Sequence, residues 1–258
     1  MKPKALVLYG YGINCDHETQ YAFECAGASA ERVHINELIS GDHSLEEYQI
    51  LSLPGGFSFA DDIGAGKVFA NKFKYNLEEQ LQRFISEDKL IIGICNGFQT
   101  MTKMGILPGL ENDYRTQLAT VTYNDAGRFE DRWVYLTVLD SACVFTRNIE
   151  RLYLPVRHGE GKFIPQDADV LKKLYANRQV VLKYCDKEGD IHAGYPWNPN
   201  GSVDAIAGIC DVTGKIFGLM PHPEGYLFRT NHPRWTREQL PDEGLGLQVF
   251  KNAVSYFG

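Results

Sequence analysis

Leu90-Ile91-Ile92-Gly93-Ile94-Cys95-Asn96-Gly97-Phe98-Gln99-Thr100-Met101 is the stretch from which the rest of the chain can be read. Five residues, four of them aliphatic and β-favouring, run into a Gly-Ile-Cys-Asn-Gly turn. A helical pattern follows, with Phe98, Met101 and Met104 on one face and Gly105 as its stop. A strand that turns straight into a helix places the turn residue at the carboxyl edge of a sheet. Glycines at 93 and 97 leave room for a strained backbone and a close helix–strand approach. A cysteine there sits at a helix N-terminus, where amide dipoles favour the thiolate. The plainer reading makes Cys95 a small buried hydrophobe at the end of a core strand. An inert core cysteine needs neither glycine, so Cys95 is the candidate nucleophile.

Outward from this elbow, apolar strands alternate with helical segments. Ala5 to Gly10, Arg32 to Ile35 and Tyr48 to Leu53 read as strands. Helices are expected from Asp16, a candidate N-cap, to about Ala26, and from about Val68 to Glu87. This alternation indicates an α/β fold with a mostly parallel central sheet flanked by helices. The third strand ends in Pro54-Gly55-Gly56-Phe57-Ser58. Ligands of open α/β sheets bind beyond the carboxyl ends of strands, so this loop and the elbow are expected to share a crevice. Adjacent glycines can present unobstructed backbone N–H groups, as an oxyanion hole requires, or can simply make a turn. After the elbow, segments 117–123 and 132–138 flank an Asn124-Asp125-Ala126-Gly127 turn and read as a hairpin, which adds an antiparallel portion. A last helix is expected from about Gly244 to Phe257.

The whole chain sets the bounds. Its 258 residues, 44% hydrophobic and 23% charged, suit one soluble domain spanning 1–258. A formal charge of −7 leaves no basic excess for nucleic acid. No apolar run approaches membrane-spanning length, and the start does not read as a signal peptide. The six cysteines show no C-x-x-C pair or zinc spacing and read as reduced cytoplasmic thiols. No motif for ATP, NAD or zinc is present, so no metal and no cofactor is expected in this chain.

A strand pair at 205–210 and 215–220 delivers Pro221-His222-Pro223-Glu224. An extended backbone there would place His222 and Glu224 on one face. A carboxylate beside an imidazole fixes its tautomer and stabilises the imidazolium, the orienting role in a nucleophile–base–orienter triad. His158 with Glu160 is the next-best such pair.

Leu53-Pro54-Gly55-Gly56-Phe57-Ser58, Gly93-Ile94-Cys95-Asn96-Gly97-Phe98-Gln99, His158-Gly159-Glu160-Gly161 and Met220-Pro221-His222-Pro223-Glu224 together resemble the class I (triad) glutamine amidotransferases. The Asn-Gly-Phe-Gln continuation, the His-Gly-Glu-Gly stretch and the opening Gly12-Ile13-Asn14-Cys15-Asp16 favour the glutaminase subunits of phosphoribosylformylglycinamidine synthase, the PurQ type. The resemblance implies a flavodoxin-like fold and attack of Cys95 on the side-chain amide of glutamine. His222 would move the proton and Glu224 would orient His222. Gly56, Phe57 and the N–H of Asn96 would hold the oxyanion, with Gly55, Gln99, His158 and Glu160 near the glutamine. It also implies that the ammonia passes to a large synthetase subunit that binds ATP and formylglycinamide ribonucleotide, with a small accessory subunit. The alternatives are an amidotransferase subunit serving another acceptor, and a cysteine hydrolase of the peptidase-like branch of the fold. In that branch a histidine tends to follow the cysteine, whereas Asn96 follows here. A departure from the family pattern, Tyr226 to Arg237, carries three arginines with Tyr226, Phe228 and Trp235, and reads either as a surface that docks a partner or as a loop packed onto its own domain.

Overall fold

The computed structural model describes residues 2–258. In chain order its elements are β1 (Lys4–Tyr9), α1 (Asp16–Cys25), β2 (Ser29–His34), α2 (Ile35–Ser40), β3 (Ile50–Leu53), α3 (Lys67–Ser86), β4 (Leu90–Ile94) and α4 (Asn96–Met104). The second half follows with β5 (Ala119–Tyr123), β6 (Glu130–Val138), β7 (Arg151–His158), β8 (Glu160–Pro165), α5 (Ala168–Ala176), β9 (Val180–Cys185), β10 (Ile206–Cys210), β11 (Ile216–Leu219) and α6 (Leu247–Ser255).

Nine strands form one sheet in the order β2-β1-β3-β4-β11-β10-β9-β6-β7. From β2 through β11 the neighbours are parallel; from β11 through β7 they are antiparallel. β4, every residue of which is buried, lies between β3 and β11. The elbow at its end and the turn after β11 therefore leave the sheet side by side. Phe69, Phe73, Leu77, Leu81 and Phe84 recur at helical spacing along α3 and are all buried. That stripe covers part of one face of the parallel half.

The hairpin expected across Asn124–Gly127 does not form. β5 pairs antiparallel with β8 in a separate two-stranded sheet, while β6 joins the main sheet between β9 and β7. The turn itself is present, but buried Asn124 redirects the chain. Its Nδ2 donates to His158 O at 2.8 Å, and its Oδ1 accepts from Gly161 N at 2.9 Å. These bonds fasten the end of β5 to the β7–β8 corner.

The segment from Tyr226 to Arg237 packs in part onto its own domain. Tyr226 is buried, edge-on to Trp133 at 5.3 Å and beside His232 at 5.5 Å. Phe228 and Trp235 remain partly exposed. The last helix begins later than expected, at Leu247. Among the described residues no helix is long and apolar enough to cross a membrane.

Candidate active site

The elbow has the geometry that its glycines allow. Cys95 adopts φ 50° and ψ −105°, a sparsely populated conformation that costs on the order of 1–3 kcal/mol and persists only when its surroundings impose it. They do so from both sides. A Cβ on Gly97 would sit 1.8 Å from Leu53 O, and one on Gly93 would sit 2.2 Å from Met101 Sδ. Helix α4 thus rests directly on the backbone of β3, and Cys95 N–H is tied to Leu219 O at 2.8 Å. The thiol itself lies 3.7 Å from the backbone oxygen of Arg157.

His222 and Glu224 do not lie on an extended strand. Pro223–Gly225 forms a single 3-10 turn, with Pro223 in its first position and His222 as its N-cap. Proline suits a first helical position because no N–H is needed there. The turn still brings the two side chains together, Nδ1 of His222 lying 2.5 Å from Oε1 of Glu224. Both residues are buried, and among the described residues Nε2 of His222 and Oε2 of Glu224 have no hydrogen-bond partner. Burial opposes charge on the ring, but the Glu224 carboxylate and the neighbouring thiols outweigh it. Together they hold the imidazole pKa well above the ordinary histidine value.

A cavity of about 120 Å³ is lined by Asn14, Cys15, Gly56, Phe57, Cys95, Phe129, Arg157 and His222. Phe57 and Phe129, both partly exposed and 6.2 Å apart, stand together in its lining. Of the oxyanion candidates, the N–H groups of Gly56 and Asn96 make no hydrogen bond among the described residues, and Gly56 lines the cavity. The Phe57 N–H is not available in this state as expected, being committed to Gly12 O at 2.8 Å. Cys15 N–H donates to Gly55 O at 3.1 Å, so residues 12–15 and 55–57 are laced together.

The other expected glutamine contacts lie elsewhere than in the cavity lining. Gln99 Oε1 accepts from Asn96 Nδ2 at 3.0 Å, and its amide nitrogen donates to Glu160 O. The Glu160 carboxylate accepts from Ala65 N at 3.2 and 3.3 Å. These two side chains bind α4, β8 and the loop before α3 to one another. Asn96 Nδ2 also donates to Asp61 Oδ1 at 3.0 Å. Burial, and then the Glu160 charge, push the Asp61 carboxyl up to about 6. His158 is an interior residue, its Nδ1 3.1 Å from Asn124 Oδ1, and burial depresses its pKa to about 3. It is held neutral. Gly55 is positioned by close approach, since a Cβ there would lie 2.7 Å from Cε1 of His222.

Cys15, Phe129 and Arg157 line the cavity but were not singled out by motif reasoning. The only sequence signal for Cys15 was the Gly12–Asp16 opening, which does not reveal that the chain folds back onto the histidine.

An elbow cysteine, an imidazole paired with a carboxylate and the Gly56 N–H thus meet at one cavity of an open α/β sheet, an arrangement suited to thiol-dependent hydrolysis. Residues 2–257 match the CobB/CobQ-like glutamine amidotransferase domain, and the chain belongs to this family. It is 51% identical over 256 residues to a protein of Dehalococcoides mccartyi named phosphoribosylformylglycinamidine synthase subunit PurQ, covering 99% of this chain and 98% of that one. A Methanococcus maripaludis protein of the same name is 47% identical over 266 residues, covering 99% and 97%. Among solved structures, PurLQS from Thermotoga maritima aligns over 100% of both chains with 30% identity and a TM-score of 0.75. A glutamine amidotransferase of Thermotoga maritima shares the fold, with 19% identity, a TM-score of 0.51 and coverage of 91% and 81%.

Proposed function

We propose that this chain is the glutaminase subunit of a phosphoribosylformylglycinamidine synthase, and that Cys95, His222 and Glu224 carry its chemistry. The observation that carries the reading is the single cavity lined by Cys95 and His222, with Glu224 bonded to the far nitrogen of the ring. Glu224 accepts from Nδ1–H, which leaves Nε2 to exchange a proton with the thiol. The Cys95 thiolate attacks the side-chain carbonyl carbon of glutamine. Negative charge then builds on the carbonyl oxygen, where the N–H groups of Gly56 and Asn96 are free to meet it. Collapse of the tetrahedral adduct breaks the C–N bond, and His222 delivers its proton to the departing ammonia. Water, deprotonated by the same imidazole, hydrolyses the glutamyl thioester and releases glutamate.

The ammonia needs an acceptor. The whole-length likeness to proteins named as synthase subunits, and to a chain of PurLQS, supports a synthetase partner. That partner would use ATP to convert formylglycinamide ribonucleotide to formylglycinamidine ribonucleotide, with a small accessory subunit completing the assembly. Six free cysteines suit a reducing cytoplasm. The bond between Phe57 N–H and Gly12 O supports a lone subunit held short of its full oxyanion hole. A competent population of one in a hundred corresponds to about 2.7 kcal/mol, within reach of a docking partner. The test is glutamate release from glutamine by the purified chain, alone and with its synthetase and the synthetase's substrates. Strong stimulation is expected. Absence of glutamate under every condition would remove the reading.

A further inference from the structure

Cys15 takes no part in the reaction above, yet its thiol is placed against the base. It is the N-cap of α1, and its backbone N–H is fixed by Gly55 O at 3.1 Å. The missing side chain of Gly55 is what lets thiol and ring approach. A Cβ there would lie 2.7 Å from Cε1 of His222 and 3.3 Å from Cys15 Sγ. One donor atom each from Cys15, His222 and Glu224 lie within 4.8 Å of one another, and all three residues are buried. Among the described residues, Oε2 of Glu224 has no hydrogen-bond partner. Sulfur, imidazole nitrogen and carboxylate oxygen are the donor set of a tetrahedral zinc site. With Zn–S about 2.3 Å and Zn–N or Zn–O about 2.0 Å, neighbouring donors stand roughly 3.5 Å apart. The 2.5 Å contact between His222 Nδ1 and Glu224 Oε1 opens by about 1 Å to reach that spacing.

We propose that Cys15, His222 and Glu224 bind a thiophilic divalent cation such as Zn²⁺, with Cys15 as the thiolate ligand. Binding expels the Cys15 thiol proton and the proton between His222 and Glu224, both of which pass to solvent. The cation then takes the place of the Nδ1 proton and breaks the contact by which Glu224 orients the imidazole. Inhibition of glutamine hydrolysis by zinc follows, and that consequence alone rests on the function proposed above. Cys15 and His222 line the same cavity as Cys95.

Binding is tested without reference to turnover, by calorimetric titration of the full chain with Zn²⁺ and by optical spectra with Co²⁺. The wild-type chain should bind one equivalent and show a thiolate-to-cobalt charge-transfer band. Cys15→Ala and Cys15→Ser should each lose the band and bind zinc at least about tenfold more weakly, since loss of even an outer-shell partner costs that much. Cys95→Ala should retain the band. Thermal melts of both Cys15 variants establish that they are folded. Undiminished affinity in a folded Cys15 variant would overturn the proposal. So would a band that survives Cys15→Ala but vanishes in Cys95→Ala, because the metal would then sit on the nucleophile. No binding to the wild type at millimolar zinc would also overturn it.

Discussion

Replacement of Gly97 by alanine tests the closer of the two glycine contacts that hold the elbow. A Cβ at 97 would stand 1.8 Å from Leu53 O and 2.6 Å from Leu53 C, both backbone atoms of buried β3. No rotamer change relieves that contact. Reaching an ordinary separation of about 3.2 Å requires α4 to move by roughly 1.4 Å, the kind of overpacking that costs about 1–3 kcal/mol. Alanine returns about 1 kcal/mol of helix propensity. The clash is with fixed backbone, so the cost falls at the upper end and the net loss is about 2 kcal/mol. The catalytic effect is larger, because Cys95 begins the helix that moves. A misplacement of about 1 Å in reacting groups costs on the order of a hundredfold in turnover. Urea unfolding and glutamate release in the assembled enzyme measure the two effects. Gly194→Ala is the control, since a Cβ there meets nothing within 4 Å. If Gly97→Ala unfolds within 0.5 kcal/mol of wild type and turns over within about threefold, the elbow is not held by close α4–β3 packing.

Glu224→Gln keeps the shape of the orienting side chain but removes its charge, so kcat should fall by about 10²–10⁴ with an unchanged melting profile; activity within threefold would remove Glu224 from the triad. Asp61 holds its proton up to about 6 in the folded chain against an ordinary value of 3.8. The folded state therefore binds that proton more tightly, and the contribution to stability is lost as pH rises from about 4 to 6. Asp61→Asn should flatten denaturation midpoints across that window, and an unaltered slope would contradict the assignment. His158 behaves oppositely. Its pKa falls from 6.5 to about 3, so its contribution is complete above pH 6.5 and is lost as pH falls toward 3. His158→Asn should reduce the acid sensitivity of folding between those values, which urea midpoints at a series of pH values would show.

What was legible in the sequence was what local geometry dictates. Glycines at 93 and 97 announced the elbow because a strand cannot turn into a closely packed helix with side chains at those positions. The pairing of His222 with Glu224 was legible from spacing, though a 3-10 turn rather than an extended strand achieves it. Non-local contacts were hidden. The Asn124–Gly127 turn signals a hairpin, but buried hydrogen bonds from Asn124 send β5 to β8 instead. Gln99 and Glu160 stand in family motifs, yet their partners are a neighbouring carbonyl and the N–H of Ala65. Cys15 meets His222 only because two loops forty residues apart are laced by backbone bonds.

The central claim is that Cys95, and not the neighbouring Cys15, is the nucleophile toward glutamine. It is tested most directly by reacting the chain, in complex with its synthetase, with an electrophilic glutamine analogue and mapping the modified peptide by mass spectrometry. A single adduct on Cys95 is expected, slowed by excess glutamine, much reduced in Glu224→Gln and absent in Cys95→Ala. An adduct on Cys15, or labelling of Cys95 that glutamine does not slow, would contradict it.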